Sequence, residues 1–380
     1  MGSAMETGSN GRHAGFSLVE LMIALALGAV ILLGVTQLFS SGSRTVSQVE
    51  NIGRALEGGF YAIDTLTADI RLAGYWGESS QISADGDVFR SGEIPSSPPV
   101  SPFPTGGAAP GPCVGTGEYV LAGSAPYDTL ESRAKAELAW GMEFPITGGF
   151  ATTGNIPCAS DAPLGINDQQ FLAIKRASTC SAIGGSCEGV VDNHFYLQTN
   201  GCYDTSQSLT GGELRLYAVT GSNYLDASKL SYKKYSTTLP CTDPAPIYKY
   251  MSRIYYVDDS QRLVRMQLAG TDYVSEAIVS NVELLRIEWG RDTDGDGAVD
   301  RFDTTGTAVG SPAWSIQWQD VIAARVWLVV RSPEKLVGFE DDNQYLVAGE
   351  AFSPDANYIN HPRRVFSRLI ELPNIAGRRR

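Results

Sequence analysis

The stretch from Phe16 to Val35, FSLVELMIALALGAVILLGV, constrains this chain more than any other part of it. As a helix rising ~1.5 Å per residue it spans about 30 Å, the thickness of a bilayer core. A secretory signal core is shorter, about 7–15 residues, and closes on a small-residue cleavage site that this run lacks. The run holds one ionisable side chain, Glu20, near its start. A carboxylate in lipid costs at least ~2.5–3.5 kcal/mol, so an intramembrane acid is a functional candidate by default. The plain alternatives are a simple signal anchor and a Glu20 that snorkels to the near interface.

Helical signal continues beyond the apolar run. Val49, Ile52, Leu56, Phe60, Ile63, Leu66 and Ile70 recur at helical spacing, with Gln48, Glu50, Arg54, Glu57, Asp64, Asp69 and Arg71 opposite them. One helix over Phe16–Ala73 is expected, its first half in a membrane or filament core and its second half packed on a head. A coiled coil with a partner would use the same seam. Gly74 suits the C-terminal end. Gly53, Gly58 and Gly59 each cost about 1 kcal/mol relative to Ala, so a local melt or bend is expected near Gly58.

The string Gly15-Phe16-Ser17-Leu18-Val19-Glu20, leading into the apolar helix, resembles the class III signal of type IV pilins and type II secretion pseudopilins. The resemblance implies that a prepilin peptidase cuts between Gly15 and Phe16 and methylates Phe16. It implies a leader over 1–15, the helix over 16–75 and a head over 76–380. It also implies a single inner-membrane span with the head in the periplasm, then a place in a pilus at the cell surface. Partners would be other minor pilins, the major pilin, the peptidase, the inner-membrane assembly platform and, among candidates, a tip adhesin. The physics agrees with that picture. The new Phe16 amine and Glu20 lie one turn apart, about 6 Å along the axis. A carboxylate in lipid needs a counter-charge, and a neighbour's terminal amine can supply it.

The rest of the chain reads as short β-branched and aromatic runs between turn residues: Glu118–Ala122, Phe171–Arg176, His194–Thr199, Glu213–Val219, Ile247–Val257, Arg262–Leu268, Glu283–Gly290 and Val321–Arg331. Val257-Asp258-Asp259-Ser260-Gln261 joins two of them as a hairpin candidate, and Ser275–Asn281 is expected as a short helix. Trp76 to Pro112 is Pro-, Gly- and Ser-rich loop. The order of strand Val282–Trp289, acidic loop Arg291–Asp303, Trp-containing segment Trp314–Gln319, the strand AARVWLVVRS and Arg363-Arg364-Val365-Phe366-Ser367 is similar to PilW-type minor pilins, and more distantly to the J-type minor pseudopilin. The expected class is therefore α+β and type IV pilin-like, a long N-terminal helix packed on a large β-rich head.

Six cysteines, Cys113, Cys158, Cys180, Cys187, Cys202 and Cys241, all lie beyond the helix, with no CxxC spacing. That suits disulfides made in an oxidising compartment. Cys180–Cys187 is the favoured pair by proximity, and Cys202–Cys241 the second.

The string from Asp292 to Asp303, DTDGDGAVDRFD, has the oxygen spacing of a calcium loop. Asp292, Asp294, Asp296, Asp300 and Asp303 and the carbonyl of Ala298 are the candidate ligands, with Gly297 at the sharp turn. A structural Ca2+ is expected there, in strand-and-loop surroundings and not between two helices. The final ligand is Asp303 where Glu is usual, which weakens bidentate closure.

Other functions are disfavoured. The net charge of −13 argues against duplex-DNA or other nucleic-acid binding, which needs clustered Lys and Arg. There is no GxSxG, P-loop, HExxH or strand-borne GxGxxG, so no enzyme is expected. Three function classes remain: a minor pilin of pilus assembly, a minor pseudopilin of type II secretion, and a calcium-dependent adhesin at a pilus tip.

Overall fold

The computed structural model describes residues 17–77, 112–113, 144–151, 156, 158–159, 161–164, 169–183, 189–202, 214–219, 232–270, 272–304, 318 and 320–376. The expected strand Glu118–Ala122, Cys187, Trp314, Gly15 and Phe16 lie outside the described residues, as does the Pro-rich stretch between Gly77 and Pro112.

Helix α1 runs from Leu18 to Arg71. The chain divides into two compact units within this helix, at Gly53–Arg54. The reason is burial: from Ala55 onward the helix supplies part of the head's core. The expected melt at Gly58 does not occur, because packing outweighs low propensity. Gly59 faces the sheet so closely that an added Cβ would run into the Phe366 ring.

The seam also differs from the expected one. Asn51, Ala55, Gly59, Ala62, Ile63, Leu66, Thr67, Asp69 and Ile70 are the buried positions among the described side chains of the helix. Phe60 stays 60% exposed beside the glycine, its ring edge-on to Phe366 at 5.4 Å. Asp69, placed by pattern on the polar face, is buried instead. The last turn tightens through Leu72 N–H to Asp69 O, and Gly74 follows at φ +71°. Asn374 Nδ2 donates to the freed carbonyls of Arg71 and Ala73 at 3.1 and 3.3 Å.

The head is antiparallel throughout its described strands. β1 (Ile146–Phe150), β2 (Gln170–Ser181), β5 (Ile247–Val257), β3 (Phe195–Thr199) and β4 (Leu214–Ala218) follow one another across the larger sheet. β6 (Arg262–Ala269) joins β5 beyond β3, and β7 (Asp272–Ser280) pairs with β6. The segment read as a short helix, Ser275–Asn281, is therefore mostly strand β7. Its cause is the turn at Gly270, φ +72°, which folds it back with Ala269 opposite Asp272.

A second sheet runs β13 (Arg363–Glu371), β10 (Val321–Arg331), β8 (Val282–Arg291), β9 (Arg301–Thr304). Leu285, Ile287 and Trp289 of β8 and Ala324, Val326 and Leu328 of β10 alternate into the core shared with α1 and the larger sheet. Leu284 and Val329 point the other way, under the hairpin of β11 (Tyr345–Val347) and β12 (Glu350–Phe352). Both faces are covered, which is why these strands read as near-continuous apolar runs. Helix α2 (Pro373–Ala376) closes the described chain.

Among the described cysteines, Cys113 bonds Cys158 and Cys202 bonds Cys241. Cys180 is also disulfide-bonded. Its suggested pairing with Cys187 falls outside the described residues.

Candidate functional site

Two sequence-predicted sites lie on described residues, one at each functional end of the reading. The first is the mouth of α1. Leu18–Phe39 is long and apolar enough to cross a membrane, and none of it is buried. Glu20 sits in the first turn and accepts the Ser17 N–H at 3.2 Å. Ser17 Oγ accepts from Val19 N–H at 3.4 Å. The carboxylate thus lies at the positive end of the helix dipole. Among the described residues no cation faces it.

The second site is the acidic loop. It caps the β8–β9 hairpin, in which Arg291 pairs with Arg301. Asp292 is fully buried, and its two carboxylate oxygens accept the N–H groups of Gly295 (2.6 Å) and Gly297 (3.0 Å). Gly295 and Gly297 take φ of +82° and +84°, which lets the chain wrap the carboxylate. Asp300 accepts both the N–H and the hydroxyl of Thr293, at 2.7 and 2.6 Å. Those hydrogen bonds hold its carboxyl below the usual range.

Oxygens of Asp292, Asp294 and Asp300 lie within 4.8 Å of one another. Ligand oxygens on opposite sides of one Ca2+ are about 5 Å apart, so the trio fits that cation. Asp296 is not in the group and accepts Ala298 N–H at 2.7 Å. Asp303 is not in it either. Its Oδ2 takes Arg291 at 2.9 Å and Arg301 at 2.8 Å. Asp303, expected as the closing ligand, sits at the loop's base between Arg291 and Arg301. Position 12 of the string lies on strand β9, whose register puts it beside two arginines.

The sequence matches the family model of type IV pilus-assembly protein W over residues 254–374, and that of the prokaryotic N-terminal methylation motif over residues 10–36. These two matches support a type IV pilus minor pilin of the PilW kind. A type IV-like pilin from Thermus thermophilus is similar at 15% identity, over 33% of this chain and 68% of that one, with a TM-score of 0.24. That score is too low to carry any argument here. No curated protein matches the chain. The methylation-motif match ends within the exposed apolar part of α1, which suggests a membrane-anchored pilin, and the PilW match supports a role in pilus assembly.

The PilW match holds the acidic loop and also a buried ion network that sequence reasoning missed. Arg363, fully buried, donates to Glu283 through Nε at 2.6 Å and Nη2 at 2.9 Å, and reaches Asp341 at 3.2 Å. Arg331 stacks over Tyr358 at 3.9 Å and donates to Gln261 at 2.8 Å. Burial alone would raise the Asp341 carboxyl; hydrogen bonds from Tyr345, Asn343 and Arg363 more than offset that and hold it low. The Tyr345 hydroxyl, partly buried against the same carboxylate, is pushed up to about 12.

A second missed cluster fixes the pilin's helix to its head. Asp69 pairs with Arg176 of β2 at 3.1 Å and Arg253 of β5 at 2.6 Å, and accepts the Tyr255 hydroxyl. Its own side chain is 5% exposed. Burial by itself would raise the carboxyl; the hydrogen bond and charge of Arg253, with Tyr255 and Arg176, win and lower it. Tyr255 is pushed up by burial and by the carboxylate. The available signal was the heptad of Ala55, Ala62 and Asp69, which puts Asp69 on the buried stripe.

Proposed function

We propose that this pilin is a minor subunit that helps initiate or tip a type IV pilus. Its mature N-terminus is the methylated Phe16, and it enters the membrane and filament through α1, with the head on the periplasmic side before assembly. The observation that carries the reading is the wholly exposed apolar half of α1, whose one acid has no described cation beside it. Buried in lipid, that carboxylate demands an external counter-charge. The terminal amine of the next subunit, arriving one turn away, meets the demand and sets the stagger between subunits. The partners are other minor pilins and the major pilin, delivered by the peptidase and the inner-membrane platform.

The acidic loop serves as a structural cation site in this reading. Asp292, Asp294 and Asp300 would hold Ca2+, with carbonyl groups such as Ala298's and water completing six to eight oxygens. The ion would neutralise the loop and stiffen the β8–β9 hairpin.

The test is direct. Glu20→Ala and Glu20→Lys leave cleavage before Phe16 intact but drop the subunit from sheared pili. Normal incorporation of both variants overturns the proposal. Loss of exoprotein secretion with pili unaffected, on deletion of the chain, would move it to a secretion pseudopilus.

A further inference from the structure

We propose that helix α1 carries a seam for a second helix. The membrane helix of an unlike subunit lies parallel along the line Phe39, Gly42, Val46, Val49 and Gly53, so that this chain enters a pilus as one half of a pair. The inference rests on the pilus-assembly reading and adds a second neighbour to the one that answers Glu20.

The seam is a seven-residue repeat. Leu18, Leu25, Leu32, Phe39, Val46 and Gly53 stand seven apart, and Leu21, Gly28, Val35, Gly42 and Val49 fall three after each of the first five. Every position on both lines is apolar or glycine. Up to Phe39 that carries no information, because the membrane-length segment is apolar nearly all round. Beyond Phe39 it does. The sequence from Ser40 to Glu50 is SSGSRTVSQVE, and its two apolar side chains, Val46 and Val49, both fall on the repeat. They lie about 10 and 15 Å past Phe39 along the axis, in water and not in hydrocarbon. Both stay open, 67% and 66% exposed. Ile52, the next apolar residue and off the repeat, is half-buried.

The period identifies what covers the seam. Lipid has no seven-residue repeat to match, whereas a second helix wound left-handedly around the first does. The glycines identify which helix. Glycine is a poor helix former, and Gly59 is accounted for by the Phe366 ring against it. Gly28, Gly42 and Gly53 have no such reason in their own fold: a Cβ on any of them would stand in open space. On the seam they are holes. In a second copy laid in register each hole would face another hole, while Phe39 against Phe39 keeps the axes about 8–10 Å apart. An unlike helix with large apolar side chains at those levels fills them. Glu20 is on neither line and lies about 130° around the axis from the middle of the seam. The chain that neutralises Glu20 and the chain on the seam are therefore different neighbours.

The experiment places a photocrosslinking residue, p-benzoylphenylalanine, at Val46 of the full chain in piliated cells, with the exposed Gln48, on the Glu20 side of the helix, as control. Expected is one discrete adduct from position 46 to a different chain that also bears a prepilin N-terminus, at least about fivefold stronger than from position 48. Gly42→Leu should cut that adduct by at least about fivefold by filling the hole. It should leave the melting temperature unchanged or higher, since leucine is the better helix former and meets nothing in the chain's own fold. An adduct no stronger than the control overturns the proposal. So does one to lipid or to a second copy, or one indifferent to Gly42→Leu. Glu20→Ala in the same cells separates the two ideas: the adduct should persist while the variant is excluded from pili. Loss of the adduct in that variant overturns the pair, whereas its normal incorporation with the adduct intact sinks the Glu20 reading alone.

Discussion

Replacing Asp69 by Asn tests how the assembly helix is fastened to the head. The carboxylate is the shared counter-ion of Arg176 and Arg253, whose side chains are 8% and 14% exposed. The variant leaves two adjacent guanidinium groups under the helix without an anion. Breaking a buried pair from one side costs about 3–5 kcal/mol, most of it the cost of the stranded charge. Asn keeps the volume and one hydrogen bond, so about 3 kcal/mol is expected, which lowers the melting temperature by roughly 6–12 °C. The full chain in detergent, melted by circular dichroism, reads this out. Hydrogen exchange should rise first in the last turns of α1, Leu66–Arg71. The pH dependence has a definite sign. The folded carboxyl is held below its ordinary value. Its contribution is therefore fully present above the unfolded value of ~3.9 and lost as pH falls below that, through the folded one. The gap between wild type and Asp69→Asn stays constant from about pH 5 to 8 and narrows below about pH 4. A gap under about 1 kcal/mol, or one equally large at pH 3, refutes the clamp.

Calcium and packing give two further expectations. With extracellular-type affinity of ~10⁻⁴–10⁻³ M, 10 mM Ca2+ stabilises by about 1.4–2.7 kcal/mol, a rise of a few degrees in melting temperature. Asp294→Ala/Asp300→Ala should abolish the rise, and no shift in the unmutated protein rules the site out. Gly59→Ala forces a methyl group against the Phe366 ring and should destabilise by about 1–3 kcal/mol, with Phe366→Leu recovering part of it. A neutral Gly59→Ala would show that the helix can retreat from β13 at little cost.

What the sequence showed and hid follows from how far apart the interacting residues lie. The membrane-length run, the α1 periodicity and the covered strands β8 and β10 are local patterns, and they were legible. The clustering of Asp292, Asp294 and Asp300 was legible for the same reason, since they are near neighbours in the chain. The pairing of Asp303 with Arg291 was not legible, because it depends on a register across the hairpin and not on a spacing. β7 was missed because its tail carries Ser275, Glu276 and Ala277, and an edge strand half open to solvent needs no apolar alternation. Phe60 and Asp69 exchanged places with the expected pattern because small residues, Ala55, Gly59 and Ala62, mark the helix face that approaches the sheets, and bulk was the wrong guide.

The same helix carries two acids in apolar surroundings, and the contrast between them bears on function. Asp69 lies 107 residues from Arg176 and 184 from Arg253 along the chain, yet folding brings all three together. The molecule thus supplies counter-charges where a buried carboxylate belongs to its own architecture. Glu20 accepts a single backbone N–H and meets no cation among the described residues. Left so in lipid it would cost several kcal/mol. On the pilus-assembly proposal, the cation that neutralises an acid left without one among the described residues is another subunit's terminal amine.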